Sequence, residues 1–399
     1  MALQKIEVKV VFLLGLALLS CGVEGTRRVL EGPDATVFDV TTHGAKPDGK
    51  TNNAMMFIRA WNEACQSAGP AKLVIPEGNF LAGEVFFKGP CKGPMTLEVL
   101  GTVLGKTDLS EYTTGVWIDF EKVDGLTVTG TGTFNGQGES AWPSKDPSQK
   151  SLLPISLKFQ FVQNALVEKI NLLNSKGFHM TVTSCNNFKL DSLTITAPGD
   201  SPNTDGIHIS RSDLVNVTNS VIGTGDDCIS IGEGNSDIGV SGITCGPGHG
   251  ISIGSLGHPQ DKDVKGITVK NCTLTGTTNG ARIKTLSESN QLVASSIIYE
   301  DIIMNDVKNP IIIDQHYNSK SKTGSSKVKI SDVHFKNIRG TSVSDVAVAL
   351  DCSEANPCEG IELVDIDLAY SGARGSSLSA ACSNAKATFT GKLSPVGCV

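Results

Sequence analysis

The chain has 399 residues, enough for a large buried core in one elongated domain or two compact ones. Its formal net charge of -7 argues against nucleic acid or an anionic membrane as partner, because binding phosphate needs a basic surface. An acidic chain can still hold an anionic ligand, but only with cations placed locally. Abundant glycine (43), few aromatic residues (5%) and alternating runs of Val, Ile and Thr predict a mostly β protein with many turns.

Residues 1–25 read as a secretory signal. Lys5 and Lys9 precede an apolar run from Val10 to Leu19, and the small residues Ser20, Cys21, Gly22 and Gly25 follow it. The run is too short to span a membrane. A soluble secreted protein is expected, with residues 26–399 as one domain and a monomer as its state. Val37 to Val40 reads as a strand, Gly44 to Gly49 as a turn-rich loop. A helix is expected from Thr51 or Asn52, with Ala54, Phe57, Ile58, Trp61 and Ala64 on one face. One apolar face on one short helix ahead of a repeat array suggests a cap.

From residue 126 a template recurs: two apolar residues flanking one position, two polar residues, then a second such pair. Phe188-Lys-Leu190-Asp-Ser-Leu193-Thr-Ile195 is the fullest copy, and Ile238, Ile267, Ile297, Val328 and Ile361 begin others. Period-two alternation gives each strand one inward face, and the polar pair makes a bend. The expected fold is all-β, a right-handed parallel β-helix; a propeller would show longer four-stranded units and more hairpin turns.

Within the array, Asp205, Asp227 and His249 are spaced by 22 residues, in step with Ile207/Ile209, Ile229/Ile231 and Ile251/Ile253. Equivalent places in successive coils would stack these side chains in one column. Three neighbouring carboxylates, counting Asp226, cannot all ionise freely, so at least one pKa should rise. Raised and unraised carboxylates side by side suit a glycoside hydrolase, whereas a lone aspartate in a Gly-rich turn more often just bonds backbone N–H groups. Arg282 and Lys284 point to one strand face, and Arg282 takes the place that His208, Ser230 and Ser252 take in earlier coils. They suit a clamp for a carboxylate. His249 can tune a carboxylate or bond a sugar, His208 reads as structural, and Tyr317 follows the next strand.

Ten cysteines remain once Cys21 leaves with the signal. Cys65 with Cys91, Cys228 with Cys245, Cys352 with Cys358 and Cys382 with Cys398 are the expected disulfides, with Cys185 and Cys272 as buried thiols. No paired C-x-x-C spacing is present, which argues against zinc. Two sequons, Asn216-Val-Thr218 and Asn271-Cys-Thr273, fall on strand patterns.

Asn203-Thr204-Asp205, Gly225-Asp226-Asp227-Cys228, Gly248-His249-Gly250 and Arg282-Ile283-Lys284 together resemble the polygalacturonases, family 28 glycoside hydrolases, in motif and in order. The resemblance covers the chain from Val37 to the C-terminal cysteines. It implies a right-handed parallel β-helix of the pectin-lyase-like kind, and inverting hydrolysis of α-1,4-linked galacturonate in pectin, with no metal or cofactor. By position Asp226 would be the general acid, with Asp205 and Asp227 holding and activating the water. Asn203, His249, Arg282, Lys284 and Tyr317 would position the sugar, Arg282 and Lys284 on its carboxylate. The stretch Ser175 to His179 and the short N-terminal region look like pollen-type exopolygalacturonases, which implies release of single galacturonates from the non-reducing end. The competing readings are an endo-acting enzyme, a calcium-dependent pectate lyase, and a catalytically silent wall-binding β-helix.

Overall fold

Strands of alternating pattern bury one face, and in this chain nearly every buried face points into one continuous interior. The computed structural model describes residues 35–142, 153–319, 325–372 and 377–398. The expected signal, residues 1–25, lies outside them. From Ala35 onward the strands are paired in parallel into two sheets, one of 20 strands and one of 11. Up to residue 256 each coil contributes one strand to the smaller sheet, then two to the larger; from Val264–Thr275 onward those two run on as one long strand. Ile207–Ser210, Asp213–Thr218 and Val221–Gly223 form one coil; Ile229–Ile231, Ser236–Ser241 and Thr244–Cys245 form the next. The architecture is the right-handed parallel β-helix.

Register explains why the apolar pairs keep step. Ile207, Ile229, Ile251 and Ala281 are successive partners along one inward row, and Ile209, Ile231, Ile253 and Ile283 along another. All are buried. Side chains of one kind therefore stack coil on coil, as do Phe120 and Phe159, whose rings lie parallel at 4.7 Å.

The polar pair in the template makes the bend by a left-handed residue. Ser192, Asn219, Asp301, Asn337 and Asp365 each stand second in that pair, and each has φ between 49° and 55°; Gly242 takes the same place at 67°. Short polar side chains and glycine tolerate this region, which β-branched residues do not. Asn271 occupies the equivalent bend at φ 51° and is exposed, as is Asn216, so both sequons face outward on their strands.

Two expectations about the N-terminal part need correction. The coils begin well before residue 126. Ala71–Ile75 and Met95–Val99 pair in parallel with each other, and the second pairs with Leu126–Gly130. Their alternation (Ala71, Leu73, Ile75; Met95, Leu97, Val99) is the same signal in copies lacking the second apolar pair of the template. The helix runs Ala54–Cys65, later than Thr51 or Asn52. Asn53 turns its side-chain amide onto the carbonyls of Lys46, Thr51 and Leu81, and Asn52 Oδ1 accepts from Ala54 N and Gly83 N at 3.1 and 3.0 Å. Both residues are held in the preceding loop, leaving Ala54 as the first helical position. Phe57, Ala60, Trp61 and Ala64 are buried against the first coils, and Trp61 packs on Phe87 at 4.7 Å. The helix covers an otherwise open end of the core.

All four expected disulfides are formed, and Cys185 and Cys272 are buried thiols. Among the described residues no helix is long and apolar enough to cross a membrane.

Candidate active site

The outward side of the smaller sheet carries two columns of side chains. In one, Asp119, Lys158, Thr181, His208, Ser230, Ser252 and Arg282 are partners on successive strands. Asp205 and Asp227 precede their strands by two residues, at the mouth of successive coils. Tight approach of those mouths is built in. Gly225 lies so near the previous coil that a Cβ there would meet Ser201 O at 2.0 Å, and its N–H donates to Thr204 Oγ1 at 3.0 Å.

Asn203, Asp205, Asp226, Asp227, Lys284 and Tyr317 line one cleft of about 200 Å³. His249 and Arg282 are not among the lining residues, but each contacts one that is. His249 Nδ1 lies 3.0 Å from Asp226 Oδ1, and its backbone N–H donates to Asp226 O at 2.8 Å. Asp226 Oδ1 also accepts from the Asp227 N–H at 2.8 Å, and Asn203 Nδ2 lies 3.4 Å from Oδ2. The Asp226 side chain is 20% exposed, while Asp205 and Asp227 are buried.

Arg282 and Lys284, expected to clamp a sugar carboxylate, already hold a carboxylate of the protein. Both are ion-paired to Asp227, Arg282 Nη2 to Oδ1 at 2.6 Å and Lys284 Nζ to Oδ2 at 2.9 Å. Ser252 Oγ donates to the same Oδ1 at 2.8 Å and accepts from Arg282 Nε. Spacing placed the cations on the aspartate face correctly. It did not show that an arginine one coil on from Ser252 reaches back to a carboxylate two coils away. Lys284 alone of the two reaches the cleft, with its ammonium 5.1 Å from the centre of the Tyr317 ring.

Asp205 is held otherwise. Ser230 Oγ donates to its Oδ2 at 2.9 Å, and His208 Nδ1 lies 2.8 Å from the same hydroxyl. Because that hydroxyl has one proton and gives it to Asp205, His208 donates from Nδ1. Burial lowers His208 to about 4, so it is neutral here. From the opposite side His179 braces the turn. Its Nε2 accepts from the Ser175 N–H at 3.2 Å, which puts its proton on Nδ1, facing the carbonyls of Thr204 and Asp205 at 3.2 and 3.3 Å. Burial lowers His179 to about 4 as well.

The carboxylates separate electrostatically. Burial, then the charges of Asp226 and Asp227, hold the Asp205 carboxyl well above its usual range. Burial also pushes Asp226 up, but the hydrogen bond and charge of His249, the Asp227 N–H and Lys284 outweigh it and leave Asp226 low. Of these two carboxyls, Asp205 therefore holds its proton the more firmly.

Several site residues escaped sequence reasoning. His208, expected to be structural, lines the cleft with Phe178, whose ring is 5.6 Å away. Ser230 and Ser252 shared its column, but their acceptors could not be read from register. Tyr299, inside the coil, donates to the carbonyls of Ile251 and Arg282 at 3.2 and 3.1 Å and braces the arginine strand from beneath.

Among the described residues, two groups place potential metal-ligand atoms within 4.8 Å of one another: Asp226, Asp227 and His249, and Asp314, His316 and Asp351. In the first, a cation would compete with Arg282, Lys284 and the His249 contact for the same oxygens. The second includes the His316 Nδ1–Asp351 Oδ2 contact of 3.3 Å.

Residues 65–393 match the family model described as glycosyl hydrolases family 28. The chain belongs to that family. It is thus a glycoside hydrolase by family, as three carboxylates in one cleft suggest. An exopolygalacturonase of Arabidopsis thaliana is 44% identical over 98% of this chain and 96% of its own length. A polygalacturonase of Gossypium barbadense is 46% identical, covering 92% of this chain and 91% of its own. Among solved structures, an exopolygalacturonase of Thermotoga maritima superposes with a TM-score of 0.74 at 20% identity, over 84% of this chain and 87% of that one. That likeness speaks to the fold of this family 28 member.

Proposed function

We propose that this protein is a secreted polygalacturonase that hydrolyses α-1,4 bonds of polygalacturonate with inversion, working from the non-reducing chain end and releasing galacturonate. The single observation that carries this reading is the joining of Asp205, Asp226, Asp227, Lys284 and Tyr317 in one cleft, in a chain whose plant relatives are named exopolygalacturonase and polygalacturonase. Residues 1–25 are the signal and residues 26–399 the mature domain.

Asp226 acts as general acid. It is the most open of the three carboxylates, and geometry selects it before pKa does. Asp205 suits the base, because a carboxyl with raised pKa takes a proton more readily than one held by two cations. Asp227, fixed by Arg282, Lys284 and Ser252, orients the attacking water. For both roles to be filled, the proton resting on Asp205 must pass to Asp226. A bound galacturonate carboxylate, adding negative charge beside Asp226, favours that transfer. Inversion requires a water between acid and base, so the leaving oxygen and the water lie on opposite faces of the sugar. Lys284 and Tyr317 hold the sugar carboxylate and ring, Asn203 and His249 set Asp226, and Arg282 secures Asp227.

The test is product sizing on polygalacturonate without added calcium. Monomer alone from the first minutes supports exo action, mixed oligomers an endo mode, and an ultraviolet-absorbing product a lyase. Absence of reducing-sugar release refutes the reading. Asp226→Asn should abolish turnover with the fold retained.

A further inference from the structure

Ser230 and Ser252 are partners in the outward column, and each donates to an aspartate, at 2.9 Å to Asp205 and 2.8 Å to Asp227. What stands behind each hydroxyl differs. Ser252 Oγ accepts from Arg282 Nε at 2.8 Å, and a guanidinium has no acceptor, so the serine proton is left to Asp227. Ser230 Oγ instead meets His208 Nδ1 at 2.8 Å, and a neutral imidazole nitrogen donates or accepts according to its tautomer. The Asp227 contact therefore runs one way, while the Asp205 contact runs either way without moving a heavy atom. With Asp205 a carboxylate, His208 Nδ1–H donates to Ser230 and Ser230 donates to Asp205. With Asp205 protonated, its Oδ2–H donates to Ser230 and Ser230 donates to a bare Nδ1. The two arrangements differ by one proton on Asp205 and by the tautomer of His208.

The far edge of His208 is placed to exchange that proton. Its Nε2 makes no hydrogen bond among the described residues. The half-buried ring lines the aspartate cleft and also a neighbouring one of about 270 Å³. Gly232 shares the lining of that second cleft, and a Cβ there would come within 3.1 Å of His208 Cε1 and 3.3 Å of Nε2. Glycine leaves the nitrogen uncovered. Burial, helped by the charges of Lys284 and Arg211, outweighs Asp227 and keeps His208 neutral. Burial with Asp226 and Asp227, against Ser230 and Lys284, keeps a proton on Asp205.

We propose that Ser230 and His208 form a relay that carries the proton of Asp205 to and from solvent. On discharge the Asp205 Oδ2–H bond breaks and a bond to Ser230 Oγ forms. The serine gives its own proton to His208 Nδ1, and Nε2 gives up its proton to water in the second cleft. One proton has then moved from Asp205 to solvent, Ser230 is again a hydroxyl, and His208 is again neutral in the other tautomer. Loading reverses each step. The relay rests on the polygalacturonase reading, in which Asp205 must lose its proton before it acts as base. It also gives a reason for the histidine behind Ser230 where Ser252 has an arginine.

The experiment titrates the full-length protein, labelled with ¹⁵N-histidine, by NMR from about pH 8 to about pH 4. Comparison with His208→Gln assigns the ring. The expected result is passage from the Nδ1–H to the Nε2–H tautomer as Asp205 takes its proton, before the ring gains a second one. Ser230→Ala should leave the tautomer constant over the same range. On polygalacturonate, Ser230→Ala and His208→Gln should each lower kcat about tenfold with KM within about twofold. A glutamine amide still bonds Ser230 but passes no proton, so a bracing role alone predicts full kcat in His208→Gln. That result overturns the relay, as does a His208 tautomer that stays constant in the parent. Should the tautomer switch in a protein that does not cleave polygalacturonate, the relay stands and the hydrolase reading falls. A constant tautomer in a protein that cleaves it overturns the relay alone, and failure of both overturns both.

Discussion

His249 is tied to Asp226 twice, by its backbone N–H to the aspartate carbonyl at 2.8 Å and by Nδ1 to the carboxylate at 3.0 Å. The second contact lowers the pKa of a carboxyl that burial alone would raise. A histidine one coil away thereby sets when the proposed acid holds its proton.

His249→Ala should therefore raise the Asp226 pKa. Activity that depends on protonated Asp226 is lost as pH rises through that pKa, so the alkaline limb of the kcat/KM profile should move to higher pH. Titrating hydrolysis of polygalacturonate by parent and variant measures it. A limb that stays in place, or moves down, contradicts control of Asp226 by His249.

Arg282 and Lys284 separate by function despite standing two residues apart. Arg282→Ala leaves Asp227 buried with one cation fewer, and breaking a buried pair costs about 3–5 kcal/mol. The expected result is a large loss of stability in urea. Lys284→Ala, whose ammonium reaches the cleft, should raise KM for polygalacturonate about tenfold. Equal effects of the two substitutions on KM would return Arg282 to the substrate.

Much of this arrangement is legible in the sequence, because a solenoid converts linear spacing into adjacency. Asp205, Asp227 and His249 keep a 22-residue step, and the step survives folding because Ile207, Ile229 and Ile251 must stack inward. Arg282 falls in the outward column by the same logic, across a longer coil. Spacing assigns a rung but not the reach of a side chain along the column. That is why His249 was aligned with Asp227 yet bonds Asp226, and why both cations were expected on a sugar carboxylate when they pair with Asp227. The early coils were missed for a related reason: Ala71–Ile75 and Met95–Val99 alternate without the full template.

The raised Asp205 carboxyl has a consequence for stability. A group whose pKa is higher folded than unfolded favours the folded state at low pH, and that contribution is lost as pH rises through the folded value. Asp205→Asn has no such charge to bury. It should be more stable than the parent at pH 7, with the advantage shrinking toward about pH 4, the unfolded value. His179 and His208, lowered to about 4, act in the other sense, losing stability for both proteins as pH falls from about 6.5 toward 4. Urea unfolding of both proteins at the two pH values isolates the aspartate, because the histidines cancel in the difference. A variant less stable than the parent at pH 7 would place the site's proton elsewhere.

Cys228 and Cys245 are joined across 17 residues, and Cys228 directly follows Asp227. The bridge ties the strand that begins after the aspartates to the far end of the same coil. Closing a loop of this size stabilises by about 3 kcal/mol, mainly by restricting the unfolded chain. Replacing both cysteines by serine should lower stability by about 2–4 kcal/mol. Serine puts hydroxyls in a fully buried place, so alanine at both positions is the cleaner comparison. If the bridge also fixes Asp226 and Asp227, kcat on polygalacturonate should fall in the alanine variant at temperatures where it remains folded. Full kcat with the expected loss of stability would confine the disulfide to holding the coil together, leaving the placement of the two aspartates to His249, Arg282 and Lys284.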